Sequence, residues 1–175
     1  MSKLGNLALL AIRLGVGGTM VAHGAQKLYG AFGGGGIDGT AQMFEQMGFP
    51  EPRRAAQMAG LGEALGGASL ALGLGTGAGG AALAGTMAVA GTVHAPNGFF
   101  TTNGGYEFPA VIGLVSGAIA LGGPGTLSLD AATKNVFNKP WMRVLALAGS
   151  FGFAAYTASS RKPPVPSPEP TARVE

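Results

Sequence analysis

The chain has 175 residues, of which 47% are hydrophobic and only 11% charged, roughly half the charge of an ordinary soluble domain. So few charges cannot clothe a soluble globule, and a formal charge of +3 with no basic stripe argues against a nucleic-acid partner. The absence of cysteine excludes disulfides, iron–sulfur clusters, Cys-ligated zinc and any thiol relay within the chain.

Lys3 precedes an apolar run over 4–29 that continues for some 20 residues without a convincing small-x-small cleavage site before His23. It is expected as a retained membrane span. The glycines Gly33 to Gly36, with Pro50 and Pro52, then predict a loop. Further spans are predicted over 55–74, 80–95 and 108–121, separated by breaker clusters at 75–80, 96–105 and 122–125. Each is near the roughly 20 residues that cross a hydrocarbon core, the third and fourth a little short. A fifth apolar stretch, 141–157, begins after Pro140 and has Trp141 and Tyr156 near its ends, the punctuation expected at membrane interfaces. Arg143 is its only charge, too little for a helix lying in the interface, so a fifth span is expected. Beyond it the prolines Pro163, Pro164, Pro166, Pro168 and Pro170 predict an extended, disordered tail. The expected fold is therefore all-α: an integral membrane four-helix bundle over 1–130, a linker and fifth C-terminal transmembrane helix over 131–160, and a Pro-rich tail over 161–175.

Glycine accounts for 33 residues and lies mostly inside the apolar stretches, which marks it as a packing residue. In the second stretch Ala56, Gly60, Glu63, Gly67 and Ala71 share a face at three- and four-residue spacing, which places Glu63 in a helix–helix seam. Gly113 and Gly117 form a second, weaker small-residue pair.

Consecutive spans run in opposite directions, so the polar residues can be assigned to a side of the bundle. With side A holding the N-terminus, His23, Lys27, Glu63, His94 and Glu107 all fall in the half toward side B. At 100° per residue Arg13, His23 and Lys27 share one face of the first helix, which should look inward. Ionisable side chains within a span are costly and usually pair with one another, so the cluster is a candidate site. It can be read as a structural pairing of Glu63 with Arg13 or Lys27. As a quinone-type site, it would have His and Glu bind carbonyl oxygens and deliver protons. As a haem site, it would have His23 and His94 as axial ligands. A metal site would need Glu63 or Glu107 to join the histidines, and no i,i+3 Glu/His pair supports it. No metal ligand set is therefore assigned. Gly-rich runs lack the Gly-Lys-Ser/Thr ending of a phosphate loop, and Ser69, Ser116 and Ser150 have no nearby base.

One set of blocks runs Arg13-Leu-Gly15, His23-Gly24-x-x-Lys27-Leu28, Phe44, Gly48-Phe49-Pro50, Glu63-x-x-Gly66-Gly67 and Leu72-Gly73-Leu74. It continues through His94, Gly98-Phe99-Phe100, Gly104-Gly105-Tyr106-Glu107 and Gly123-Pro124-Gly125-x-x-Ser128-Leu129-Asp130, covering about 7–130. Together these blocks resemble the DoxX family of small membrane proteins. The resemblance implies a four-helix bundle, multi-pass in the plasma membrane with side A cytoplasmic, linked to quinone-dependent electron transfer or to oxidoreductase complexes of oxidative stress. His23, Glu63 and His94 are then the candidate catalytic residues. Arg13, His23, Lys27, Glu63, His94 and Glu107 are the candidate binding residues for a quinone or similar redox partner. The bilayer, soluble redox enzymes and a second copy of the chain are the expected partners. A non-catalytic anchor that recruits soluble enzymes, and a small-solute transporter, are the rival functions.

Overall fold

Seven α-helices follow one another along residues 2–162, the part of the chain that the computed structural model describes, and no strand occurs among them. They are α1 (Lys3–Tyr29), α2 (Gly36–Gln46), α3 (Pro52–Leu72), α4 (Thr76–His94), α5 (Glu107–Gly122), α6 (Leu129–Ala132) and α7 (Pro140–Ser160). The all-α expectation holds. The disordered-tail expectation lies outside the described residues from 163 onward.

Local chemistry sets the helix ends. The Ser2 hydroxyl accepts a hydrogen bond from Gly5 N and caps α1, while Gly30, at φ 72°, closes it with its N–H on the carbonyls of Ala25 and Gln26. Pro52 opens α3 and Pro140 opens α7, each at a position where no backbone donor is lost. The loop expected between the first two spans contains α2 instead. The glycines Gly33 to Gly36 break the chain only as far as Gly36, and the segment after them is amphipathic, with Thr40 buried and Asp38, Gln42 and Glu45 exposed. Its polar face supports a helix packed on α3, not a span.

Met20 of α1, Leu70 of α3, Leu83 and Met87 of α4, and Ile112 and Ile119 of α5 form one buried cluster, so these four helices make a bundle around a common core. α7 adds Leu147 to Ala81, Ala84 and Ala120 in a second cluster on the far side of α4. Small residues set the closest approach. A Cβ on Gly17 would stand 2.5 Å from the Gly67 carbonyl oxygen, and one on Gly24 would stand 2.6 Å from Ala64 N, so α1 and α3 touch backbone to backbone. The small face of α3 expected to form a seam does form one, with α1. Gly113 and Gly117 face Met87 and Ala84 of α4 within the same chain.

α7 crosses the full height of the bundle. At its start Arg143 donates to the Leu121 carbonyl, near the end of α5, and Asn138 accepts from Gly77 N at the start of α4. At its end Lys162 N donates to the Gly48 carbonyl at 2.9 Å, and Arg161 donates to the Met47 carbonyl while lying over the Phe49 ring. Side A therefore gathers the ends of α3 and α5 and the starts of α1, α4 and α7. Side B gathers the rest, with α2 across it.

The outer surface is apolar. Leu65, Leu114 and Leu145 are each more than 60% exposed, whereas Arg13, Glu63 and Asp130 are buried. By length and composition α1 qualifies as a membrane span, and α5, at 16 residues, is a shorter apolar helix. The other long helices, α3, α4 and α7, do not meet the same test. α3 carries Arg53, Arg54 and Glu63, and both α3 and α4 are rich in glycine and alanine, which add little hydropathy.

Candidate functional site

The polar residues of the bundle fall into two groups at opposite ends. On side A, Arg13 is 1% exposed and its guanidinium donates to Leu70 O at 2.9 Å, Ala71 O at 3.3 Å, Leu127 O at 3.0 Å and Pro124 O at 2.5 Å. Two of these carbonyls belong to the last turn of α3, where intrahelical donors run out: Leu70 O also accepts from the cap residue Gly73 N, and Ala71 O relies on Arg13. Arg13 is thus a cap that ties α1, α3 and the 124–127 turn together. Asp130 is fully buried and accepts from Gly75 N, Thr76 N and the Thr76 hydroxyl at 2.7–2.9 Å, closing the N-terminus of α4 from 55 positions away.

On side B, Lys27 Nζ lies 2.7 Å from Glu63 Oε2. Gly60 packs on Leu28 and on Lys27 Cβ, so the start of α3 projects past the end of α1 and Glu63 sits about one turn below that end. The Glu63 side chain is 5% exposed and that of Lys27 is 21% exposed, which leaves the pair reachable through the lysine. Removing two such charges from water is costly and is offset only by close mutual contact. The backbone seam of Gly24, Gly60 and Ala64 supplies that contact by bringing the two helices together. Above it, Thr40 of α2 donates to the Lys27 carbonyl at 3.4 Å.

His23, one turn before Lys27, is half-buried, with its ring 5.2 Å from that of Phe108 at the start of α5. His94 and Glu107 hold the connection between α4 and α5. His94 Nδ1 lies 2.8 Å from the Gly104 carbonyl, and Glu107 Oε2 accepts from Thr101 N at 3.1 Å. A carbonyl only accepts, so Nδ1 carries the hydrogen, and Nε2 has no hydrogen-bond partner among the described residues.

Among the six expected site residues, then, Lys27 and Glu63 meet directly. His23 lies beside them on α1. His94 and Glu107 share the neighbouring α4–α5 connection, each bonded to its backbone, and Arg13 is placed apart. Helical spacing reports which way Arg13 faces but not that its partners lie at the other end of α3. Thr40 and Phe108, which flank the site, carried no signal, because α2 read as a loop and Phe108 as an ordinary apolar residue. Among the described residues, no three His, Asp or Glu side chains come together as metal ligands.

No curated protein and no solved structure is found to match the chain. The DoxX family model matches residues 8–96, from the first turns of α1 to just past the end of α4. This segment contains Arg13, His23, Lys27, Glu63 and His94, while α5 and the Asp130 cap lie beyond it. The match spans half of the sequence, and the chain belongs to the DoxX family of small membrane proteins.

Proposed function

We propose that the chain is a multi-pass integral membrane protein of the plasma membrane, with α1, α3, α4 and α5 as a spanning bundle and α7 as a fifth span. Its inverted surface supports this reading: large aliphatic side chains face outward, while glycine, alanine and the ion pair lie within. An aqueous surround would leave that aliphatic belt without cover.

In this setting the protein acts as a membrane subunit of a redox system and binds a small quinone-like partner at the side-B end. The observation that carries this is the Lys27–Glu63 pair, held within the bundle yet reachable, next to His23. The residues present fit such a partner. Lys27 donates to a carbonyl oxygen, His23 and Glu63 exchange protons, and Phe108 offers a ring face. A bound quinone would supply the electron-accepting chemistry, and the chain's own residues bind, orient and protonate it. The purified protein in nanodiscs should bind a quinone analogue, with Glu63→Gln and His23→Ala each weakening it more than tenfold. Unchanged binding in both variants contradicts the assignment.

A second reading is a non-catalytic anchor for soluble enzymes. It is favoured by the exposed charges that α2 and the start of α3 present on side B, among them Asp38, Glu45, Arg53 and Arg54. It predicts that cross-linking through α2 captures a soluble partner even when Glu63 is replaced.

A further inference from the structure

Side A has a surface that neither the caps nor the proposed redox site uses. The chain from the end of α5 into the first turn of α7 exposes Leu127, Leu129, Val136, Phe137 and Trp141, the last two at 61% and 60%. Lys134 and Lys139 are exposed among them, and Lys3 lies at the adjacent start of α1, whose Asn6 accepts a hydrogen bond from Thr126 N. No carboxylate of the described residues opposes these lysines. Of the acidic side chains among the described residues, only Asp130 belongs to side A, and it is buried in the α4 cap.

The backbone is bent to produce this surface. Lys134 and Asn135 have φ of 54° and 56°, a region sparsely populated by residues other than glycine. The turn is held by Asn135 N on the Asp130 carbonyl, and it sends Asn138 into the interior, fully buried, while Val136 and Phe137 point away. A soluble surface gains nothing from such a tip. At the boundary of a bilayer, aromatic and aliphatic side chains settle among the upper acyl carbons and lysines reach the phosphates.

We infer that the 126–141 segment of side A is a platform for anionic phospholipid headgroups, seated by its apolar side chains and selected by Lys3, Lys134 and Lys139. The occupant is an anionic lipid leaflet: the apolar tip needs acyl chains, and uncompensated lysines favour phosphatidylglycerol over zwitterionic phosphatidylcholine. The inference rests on the membrane-spanning reading but not on the redox reading.

Trp141 is the sole tryptophan of the chain and lies within the platform, so its fluorescence reports which lipid is beside it. The full-length protein is reconstituted in phosphatidylcholine vesicles containing an equal fraction of brominated phosphatidylglycerol or brominated phosphatidylcholine. Quenching should show the anionic lipid preferred about fivefold or more at low ionic strength, on the order expected for one lysine. Lys134→Gln/Lys139→Gln should lose most of this preference while remaining quenched. Equal quenching by the two lipids, or a preference unchanged in the double variant, overturns the platform. Quenching by neither lipid overturns the platform together with the membrane reading beneath it.

Discussion

The two ends of the bundle use polar residues in opposite ways. On side A, Arg13 and Asp130 bond mainly to backbone groups, carbonyls of the α3 end and the 124–127 turn in one case and the N–H groups that open α4 in the other, and each is buried with its hydrogen-bonding capacity engaged. On side B, Lys27 bonds to Glu63 through side-chain atoms alone, His23 rests on a ring, and His94 bonds through a single ring nitrogen among the described residues. A backbone-saturated group cannot leave its post without breaking a helix end. A paired side chain can exchange its partner for a ligand, which is why the chemistry is assigned to side B.

This comparison yields graded expectations. The largest effect belongs to side A. Arg13→Met removes the hydrogen bonds to four carbonyls, of which Leu70 alone keeps a second donor in Gly73 N, and should destabilise the protein by about 4 kcal/mol, as should Asp130→Ala, measured by unfolding in mild detergent. A loss below about 1 kcal/mol for either would break the claim that side A is the structural end. Next is the α1–α3 seam. Gly24→Val places atoms within 3 Å of the α3 backbone and should cost about 2–3 kcal/mol. It should also separate Lys27 from Glu63, so ligand binding falls with stability. The smallest is the α7 clasp. Arg161→Ala removes two hydrogen bonds and a ring contact at a half-buried position and should cost about 1 kcal/mol. It should leave ligand binding unchanged.

Much of this was legible in the sequence, for physical reasons that also mark the limit. Apolar length and Gly/Pro punctuation located α1, α3, α4, α5 and α7 to within a few residues, because the same backbone chemistry that ends a helix also marks it in the sequence. α2 was missed because Gly33 to Gly36 and Gly39 obscured the spacing of Ile37, Thr40 and Phe44, which was the available signal. Following the alternating helix directions grouped His23, Lys27, Glu63, His94 and Glu107 on side B, and Lys27 emerged as one of two partners for Glu63. Arg13 was drawn into that group because angular position carries no information on the depth of its partners. The Asp130 cap joins residues 54 and 55 positions apart and leaves no local pattern, although the Ser128-Leu129-Asp130 block marked the place.

The central claim, that ligand chemistry belongs to side B and structure to side A, is tested most directly by measuring the affinity for a quinone analogue in nanodiscs across the two ends. The comparison sets Glu63→Gln against Ser128→Ala, which removes a milder side-A contact, the hydroxyl that donates to the Gly125 carbonyl and accepts from Ala131 N at the start of α6. The account predicts a loss of more than tenfold for Glu63→Gln and less than twofold for Ser128→Ala, with both proteins folded. Equal losses in the two variants, or full affinity in Glu63→Gln, would contradict it.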